Sequence, residues 1–484
     1  MIHHNAIAID LGGESCRVSL LHWELGERRI RQIYRFSNGP ITRAHHLFWD
    51  IRQISEGVNE GLRRCAAAIK EPIASIGVDG WACDYVRLAS TGEAERNPYC
   101  YRDERTVESE TQVHQVIGRE TLYKLTGTQL LRFNTVYQLF ADRTDLLERH
   151  LQWLNIPEFL MYQLGARRFS EFTNATHTGM VNLVNHDWCT DVFEHLGIDT
   201  AAAPEIIPTG SVVGSIGSSL SQLNPLARTQ LIAPACHDTA SAVAGIPATG
   251  DDWAFISSGT WSLVGTLLDA PCTTSEAFSG NFSNLGAAGG KICFLKNING
   301  MWLVNQCLLK WRMRGNDVSL NELFERCSHL PAPKYLLDVD DPDFLVPGDI
   351  PALINVKQAG AGLRPFRDDQ EGIINIINLI IHSLAARYGQ VLRELLAITG
   401  KKIRRLYVVG GASRNRLLNR LTADHTGLEI VVGAAESSTI GNFAVQLAVL
   451  DGNCSSSGGV SYESVTSRAD ELLAPVTPSS RFHL

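Results

Sequence analysis

The feature that most constrains the fold is a strand pattern broken by a small-residue turn, which occurs near the start of each half of the chain. The first copy runs through Ala6–Asp10, a Leu-Gly-Gly turn and an apolar stretch at Arg17–Leu21. In the second copy, Trp253–Gly265, a Ser-Ser-Gly-Thr turn separates two apolar stretches. Each copy predicts a β-hairpin. Two such starts predict an α/β protein with a duplicated domain and a ligand cleft between the copies.

The length of the chain and one segment that contains glycines and a proline predict two domains. A chain of 484 residues is too long for one hydrophobic core. The segment Gly245–Gly250 carries Pro and Thr between glycines and predicts a hinge, which gives domains 1–244 and 245–484. Helical spacing over Trp49–Ile69 and the apolar run Ile373–Ala386 predict helices, the second one buried.

Composition excludes several classes of partner. The net charge is −8 and the chain has no long basic run, so we expect neither nucleic acid nor an anionic membrane surface as a partner. The longest apolar run is too short to span a bilayer. The eleven cysteines form no C-x-x-C pair, which predicts reduced thiols and no zinc site. Without a secretory signal pattern, we expect a cytoplasmic location.

The first candidate site is the hairpin turn between Asp10 and Arg17. Glycines at such a turn leave backbone N–H groups free to bind a phosphate. Arg17 could add a charge-assisted contact, and Asp10 at the strand end could hold the water shell of a Mg²⁺ ion. The alternative is an ordinary turn with a solvated Asp and Arg.

Two further turns could bind a nucleotide. Ser257–Thr260 carries three hydroxyls and a glycine, although it is also readable as an ordinary Ser-rich turn. Gly410 and Gly411 end a predicted strand before a helix, which permits close approach of a flat ligand such as adenine. The complete G-x-G-x-x-G pattern is absent there.

The strongest candidate for chemistry is His237-Asp238-Thr239, which interrupts an apolar stretch. An unpaired buried charge is costly, so a carboxylate here needs a partner or a use. Asp238 can act as a general base if a hydroxyl comes within reach, and His237 can exchange hydrogen bonds with a sugar. The alternative is a helix start at Asp238, which is compatible with catalysis. Trp81 could stack on a sugar or lie in the core.

Taken in this order, the motifs resemble the FGGY family of carbohydrate kinases, over about residues 6–450. The absence of a Walker A sequence, a G-x-S-x-G elbow and an H-E-x-x-H motif is consistent with that resemblance. The segments that carry it are 10–17, 75–81, 101–106, 133–139, 173–176, 236–243, 257–263, 295–298, 410–415 and 436–442.

The resemblance implies two actin-like (ribonuclease H-like) domains that bind ATP with Mg²⁺ and phosphorylate the 1-hydroxyl of a ketose. L-rhamnulose is the first expectation, and L-fuculose, L-xylulose or a non-kinase ATPase activity are the alternatives. A monomer or a homodimer is expected. The resemblance makes Asp238 the catalytic base and Asp10 the metal residue. The implied cofactor contacts are Gly13, Glu14, Ser15, Cys16, Arg17, Thr260, Asn297, Asn305 and Gly411. The implied ketose contacts are Trp81, Ala82, Asn134, His237, Asp238 and Thr239.

Two positions depart from the pattern of related kinases. Ala82 stands in Gly80-Trp81-Ala82 where Thr-Trp-Gly is usual, and its added methyl group could change which ketose fits. Asn305 replaces a Gln, so its contact with adenosine could be shorter or could pass to Gln306.

Overall fold

The computed structural model describes residues 4–24, 27–316, 318–346, 348–453 and 459–474. The chain forms two compact units. Unit 1 comprises Met1–Thr249, Leu267–Phe294 and Ser437–Leu484, and unit 2 comprises Gly250–Thr266 and Leu295–Glu436.

The strands are β1 (Asn5–Leu11), β2 (Ser15–Glu24), β3 (Glu27–Ser37), β4 (Pro40–Arg43), β5 (His46–Trp49), β6 (Ile73–Gly80), β7 (Tyr85–Leu88), β8 (Gln152–Asn155), β9 (Ser170–Glu171), β10 (Val181–Asn182), β11 (Asp187–Trp188), β12 (Ile206–Ile207), β13 (Val212–Ser215), β14 (Gln230–Ile232), β15 (Trp253–Ser258), β16 (Trp261–Leu268), β17 (Ser283–Gly286), β18 (Ile292–Asn299), β19 (Arg405–Val409) and β20 (Glu429–Val432).

The α-helices are α1 (Ile51–Ala68), α2 (Thr106–Val116), α3 (Arg119–Thr126), α4 (Thr135–Glu148), α5 (Ile156–Leu164), α6 (Phe172–Thr176), α7 (Thr190–Leu196), α8 (Asp238–Ala244), α9 (Ser275–Ser279), α10 (Trp302–Met313), α11 (Leu320–Ser328), α12 (Ile350–Gly360), α13 (Gln370–Thr399), α14 (Arg416–Thr426), α15 (Ser437–Leu450) and α16 (Tyr462–Leu473).

Unit 1 is built on a mixed six-stranded sheet in the order β13-β14-β6-β1-β2-β3. β1 and β2 form the first predicted hairpin, and their antiparallel register pairs Asp10 with Arg17. β6 runs parallel to β1 and to β14. Every residue of β1 from Ala6 to Leu11 is buried, because helices cover the centre of the sheet. A central strand buried on both faces is consistent with its nearly continuous apolar sequence.

Unit 2 repeats this arrangement on five strands in the order β18-β16-β15-β19-β20, which belong to a six-stranded sheet that has β17 at its edge beside β18. β15 and β16 form the second predicted hairpin, and β19 and β20 add parallel strands beside β15. The predicted buried helix is confirmed as part of α13, in which Ile373 through Ala385 is buried except for Asn375. Both predicted hairpins are therefore present, one in each unit.

The compact units divide the chain differently from the predicted boundary at 244/245. Helix α15 packs on α8, β1 and β6, all in unit 1. Its Gln446 donates from Nε2 to the carbonyl of Ile7 at 3.0 Å. The last segment therefore folds with the first half, because its helix completes the cover over the central strands. Among the described residues, no helix combines the length and the apolar character that a membrane span requires.

Candidate active site

Three segments of unit 1 end at one edge of its sheet and place the main polar residues there. Asp10 lies at the end of β1, and the parallel register sets it beside Asp79 of β6. The chain that follows β14 reaches the same edge, where Gly80 donates from N to the carbonyl of Cys236 at 2.9 Å. His237 forms a parallel bridge with Gly80. The carboxyl ends of neighbouring parallel strands form a common place for ligand binding in α/β proteins.

Asp10 is paired rather than solvated. Its Oδ2 atom accepts a hydrogen bond from Nη2 of Arg17 at 3.1 Å and another from the hydroxyl of Ser438. Only 3% of the Asp10 side chain is exposed, whereas Arg17 is more open, at 23%. The structure therefore brings the two predicted residues together and holds the carboxylate in one orientation.

Asp238 begins helix α8, directly after the capping position occupied by His237. Its side chain is 37% exposed, so the carboxylate can meet a ligand. The hydroxyl of Thr239 donates to its Oδ1 atom at 3.2 Å. Desolvation by the surrounding protein, followed by the negative charge of Asp10, raises the pKa of Asp238 to about 7. The predicted helix start is confirmed, and it leaves the carboxylate accessible.

Asp79 is a further carboxyl at this edge, and it lies in segment 75–81 of the family resemblance. It is fully buried, and Nδ2 of Asn442 donates to its Oδ2 atom at 2.6 Å. Within the described residues, its Oδ1 atom has no hydrogen-bond partner. Burial, followed by the charge of Asp10, raises the pKa of Asp79 well above its usual range. Burial therefore favours the neutral, protonated form of Asp79.

His237 is buried and held by its backbone. Its N–H donates to Oγ1 of Thr173 at 3.2 Å. Glu171 accepts from the N–H of the preceding Cys236 at 2.9 Å. Burial, followed by the nearby His177, lowers the pKa of His237 well below its usual range, so the ring is neutral. Its Nε2 atom lies 3.4 Å from Oδ1 of Asp238.

The supporting residues Thr173 and Glu171 are functional partners that the sequence analysis did not single out. Thr173 falls within the family-like segment 173–176, but its role depends on a contact with a residue 64 positions away. No local pattern reveals a hydrogen bond of that kind.

The predicted ketose residues Trp81 and Ala82 follow β6 and retain small exposed areas of 7% and 8%. The Trp81 ring packs on Trp49 with centroids 4.5 Å apart, and its Nε1 donates to Asp84 at 3.1 Å. Trp81 therefore packs in the core, which is one of its two predicted fates. Its stacking on a sugar stays a prediction.

Asn134 caps helix α4 beside this segment. The next residue, Thr135, donates from Oγ1 to the carbonyl of Cys83 at 2.7 Å. Asn134 is buried, and its Oδ1 accepts from the N–H of Leu131 at 2.9 Å. The structure thus places Asn134 near Ala82 through a contact between their chain neighbours.

The predicted phosphate turn is confirmed as a tight turn, but one of its side chains faces away. Gly12 donates from N to the carbonyl of Ser15 at 3.2 Å, and Glu14 is exposed. The Ser15 hydroxyl accepts from Nη2 of Arg35 at 2.9 Å. The Cys16 thiol is fully buried in the apolar core under the sheet. A ligand contact by the Cys16 side chain is therefore excluded, and only its backbone remains available.

Unit 2 brings three predicted nucleotide positions together. The carbonyl of Thr260 accepts from N of Trp302 at 3.1 Å, which places the turn against the start of α10, the helix that carries Asn305. Gly410 has φ +87°, and a Cβ there would lie 2.7 Å from the carbonyl oxygen of Ser258. Only glycine allows this approach. The next residue, Gly411, is exposed.

Asn297 is the remaining predicted adenosine residue. It is half-buried on β18 of unit 2. Its contact with adenosine stays a prediction.

A hairpin turn repeated in two α/β units, with an accessible carboxylate at the sheet edge, defines the class of actin-like phosphotransferases. The N-terminal domain of the FGGY family of carbohydrate kinases matches residues 5–245, and its C-terminal domain matches residues 254–450. The chain belongs to the FGGY family of carbohydrate kinases.

Relatives and solved structures agree with this assignment. The chain is 36% identical to a rhamnulokinase of Bacteroides thetaiotaomicron, over 91% of this chain and 90% of that protein. It is 35% identical to a rhamnulokinase of Enterococcus faecalis, over 91% and 88%. A ligand-bound xylulose kinase from Lactobacillus acidophilus shares the fold with a TM-score of 0.75 at 16% identity, covering 97% of this chain and 96% of that one. A glycerol kinase of Plasmodium falciparum with ADP has a TM-score of 0.72 at 15% identity, covering 96% and 92%.

Proposed function

We propose that the chain is a rhamnulokinase, which transfers the γ-phosphoryl group of ATP to the 1-hydroxyl of L-rhamnulose and releases ADP. Family membership and the names of the two relatives support the reaction class and the ketose. The observation that carries the proposal is the Asp238 carboxylate. It is 37% exposed, and its pKa is raised to about 7 at the sheet edge where Asp10 and His237 also lie.

We assign the proton transfer and part of the ketose binding to residues of unit 1. Asp238 accepts the proton of the ketose hydroxyl as that oxygen attacks phosphorus, and a base with a pKa near the working pH is effective in this role. His237 is neutral and hydrogen-bonds to the sugar without adding charge. The raised pKa of Asp79 favours its neutral form, which limits repulsion of the phosphates at this edge.

We assign the nucleotide to backbone and hydroxyl groups of the predicted turns and of the adenosine residues. Gly13 through Arg17 and Thr260 would hold phosphates, and Asn297, Asn305 and Gly411 would hold adenosine. Gly410 supports the assignment of Gly411 to the nucleotide. Because Gly410 has no Cβ, the segment that carries Gly411 can approach the backbone of Ser258. Phosphoryl transfer depends mainly on such positioning and on charge stabilisation.

Mg²⁺ is assigned to Asp10. The described residues contain no cluster of three or more His, Cys, Asp or Glu side chains able to hold a metal ion. A single carboxylate such as that of Asp10 suits Mg²⁺, which keeps several waters and binds through one or two carboxylates and the substrate phosphates. When bound, the ion would neutralise charge on the phosphates.

The proposal is tested by ADP release with ATP and Mg²⁺ across L-rhamnulose, L-fuculose, L-xylulose and D-xylulose, with a sugar-free blank. We expect a strong preference for L-rhamnulose. Preference for another ketose would retain the kinase assignment and place the discrimination at Ala82. ADP release that is the same with and without every sugar would contradict the proposed function.

A further inference from the structure

His177 lies where the proposed ketose-binding segments of unit 1 meet. It follows helix α6, and its ring packs edge-to-face on His237 with centroids 4.6 Å apart. Its Nδ1 atom is 3.2 Å from Sγ of Cys83, the residue after Ala82. Two of the segments assigned to the sugar therefore contact one imidazole.

The third segment reaches His177 through the backbone. The carbonyl of the next residue, Thr178, accepts from the N–H of Val136 at 2.9 Å. Val136 lies in the first turn of α4, which Asn134 caps. The position of His177 is thus fixed relative to Ala82, Asn134 and His237 together.

The protonation states of His177 and Cys83 bear on which ring nitrogen of His177 carries the proton. Burial lowers the pKa of His177 to about 4, so the imidazole is neutral and carries one proton. Burial raises the pKa of the Cys83 thiol well above its usual range, so the thiol keeps its proton and can donate to Nδ1. We assign the ring proton to Nε2, which is the tautomer in which Nδ1 accepts from the Cys83 thiol.

Nδ1 is the ring atom of His177 that has a protein partner. In the part of the chain that the structure describes, the ring makes the Nδ1 contact with Cys83, and no hydrogen bond joins Nε2 to another residue. The residue keeps 6% of its surface exposed, similar to Trp81 and Ala82. An unpaired donor in a nearly buried position is costly unless water or a ligand accepts from it.

We propose that His177 is a specificity-determining residue of the ketose site, whose Nε2–H donates to one hydroxyl of the sugar. The inference rests on the proposed function and deepens it, because it adds a residue outside the predicted site set. Cys83 is the positioning residue that keeps Nδ1 as the acceptor.

The main test is steady-state kinetics of His177→Phe and His177→Gln with L-rhamnulose. Phe keeps a ring without a donor, and we expect its KM for the ketose to rise about tenfold while its KM for ATP stays within about twofold. Gln keeps a donor and should lose less. The matched control is His195→Phe, because His195 is exposed on α7 and its Nδ1 bonds only to the carbonyl of Asp191. This control should behave as wild type.

Deoxy analogues of the ketose separate a hydrogen bond from a packing effect. Each analogue lacks one hydroxyl, and the loss caused by His177→Phe should disappear for one analogue and persist for the others. An equal loss with every analogue, or no loss with L-rhamnulose, would overturn the proposal. If His177→Phe does not fold, the same analogue series is measured with His177→Ala, which also lacks the donor, and the same pattern of losses decides the question.

The outcomes for this inference and for the proposed function are distinct. A wild-type enzyme that phosphorylates no ketose contradicts the proposed function. A wild-type enzyme that is active, with a His177→Phe variant of unchanged ketose KM, contradicts only the role of His177.

Discussion

At the scale of single residues, the Asp238 carboxylate is accessible to a ligand and also has a raised pKa. These two properties have different structural causes. Access follows from its position at the first residue of α8, whereas the pKa is raised by the surrounding protein and then by Asp10. The segment 231–244 is apolar on both sides of the His-Asp-Thr motif, so the sequence alone indicated that the Asp238 carboxylate has a functional role. The neighbour that tunes it lies more than 200 positions earlier.

We expect Asp238→Asn to lower kcat by roughly 10²-fold or more, because the amide cannot accept the hydroxyl proton. Binding of ADP should be nearly unchanged, since the nucleotide is assigned to other residues. The measurements are ADP release and calorimetric titration of ADP. A variant that turns over at the wild-type rate would remove Asp238 from the mechanism.

The pH profile should show an acid limb. The carboxylate accepts a proton only when ionised, and its pKa of about 7 means that it is mostly protonated at pH 6. We therefore expect kcat/KM for the ketose to fall about tenfold for each pH unit below about 6.5. The residual activity of Asp238→Asn should lack this limb. A wild-type profile that is flat from pH 5.5 to 7.5 would contradict the role of Asp238.

At the scale of elements, the packing of α15 against β6 depends on one glycine. Gly77 faces the helix, and a Cβ there would lie 2.5 Å from Oδ1 of Asn442 and 2.9 Å from Nε2 of Gln446. These amides are fully buried, and they bond to Asp79 and Ser75 on the same strand. The helix therefore meets the sheet through a polar network that has no room for a methyl group.

We expect Gly77→Ala to destabilise the protein by about 1–3 kcal/mol, because the added methyl group overpacks a filled contact. Thermal unfolding of the full chain measures the change. Gly360→Ala is the matched control, since a Cβ at Gly360 meets no atom within 4 Å. Its stability should equal or slightly exceed that of wild type. Equal melting temperatures for Gly77→Ala and wild type would contradict this prediction, because they would show that the amide network accommodates the added methyl group.

At the scale of the whole molecule, the order of segments in the chain does not match the compact units. Unit 1 takes its last segment from Ser437 onward, after the chain has completed unit 2. The first segment ends at Thr249, within the stretch Gly245–Gly250. The role of that stretch as a hinge stays a prediction. The later crossings carry no comparable Gly and Pro signal.

We expect truncation after Glu436 to abolish folding of unit 1, because the truncated chain lacks α15 and α16 and leaves β1 and β6 uncovered on one face. Truncation after Ala474 is the control, as it keeps every element that the structure describes. Calorimetric titration with the ketose and the cooperativity of thermal unfolding report the result. Ketose binding by the shorter chain would contradict this view of unit 1.

The sequence by itself determined the two hairpins, the long buried helix and the motifs that assign the family, because these depend on neighbours within a few positions. Only the tertiary structure decided that the Cys16 thiol faces the core and that Asp79 is buried beside Asp10. It also decided that α15 belongs to unit 1 and that Cys83, His177 and His237 meet. The physical reason is that burial, pKa values and side-chain partners depend on which distant segments pack together. Local spacing does not encode that choice.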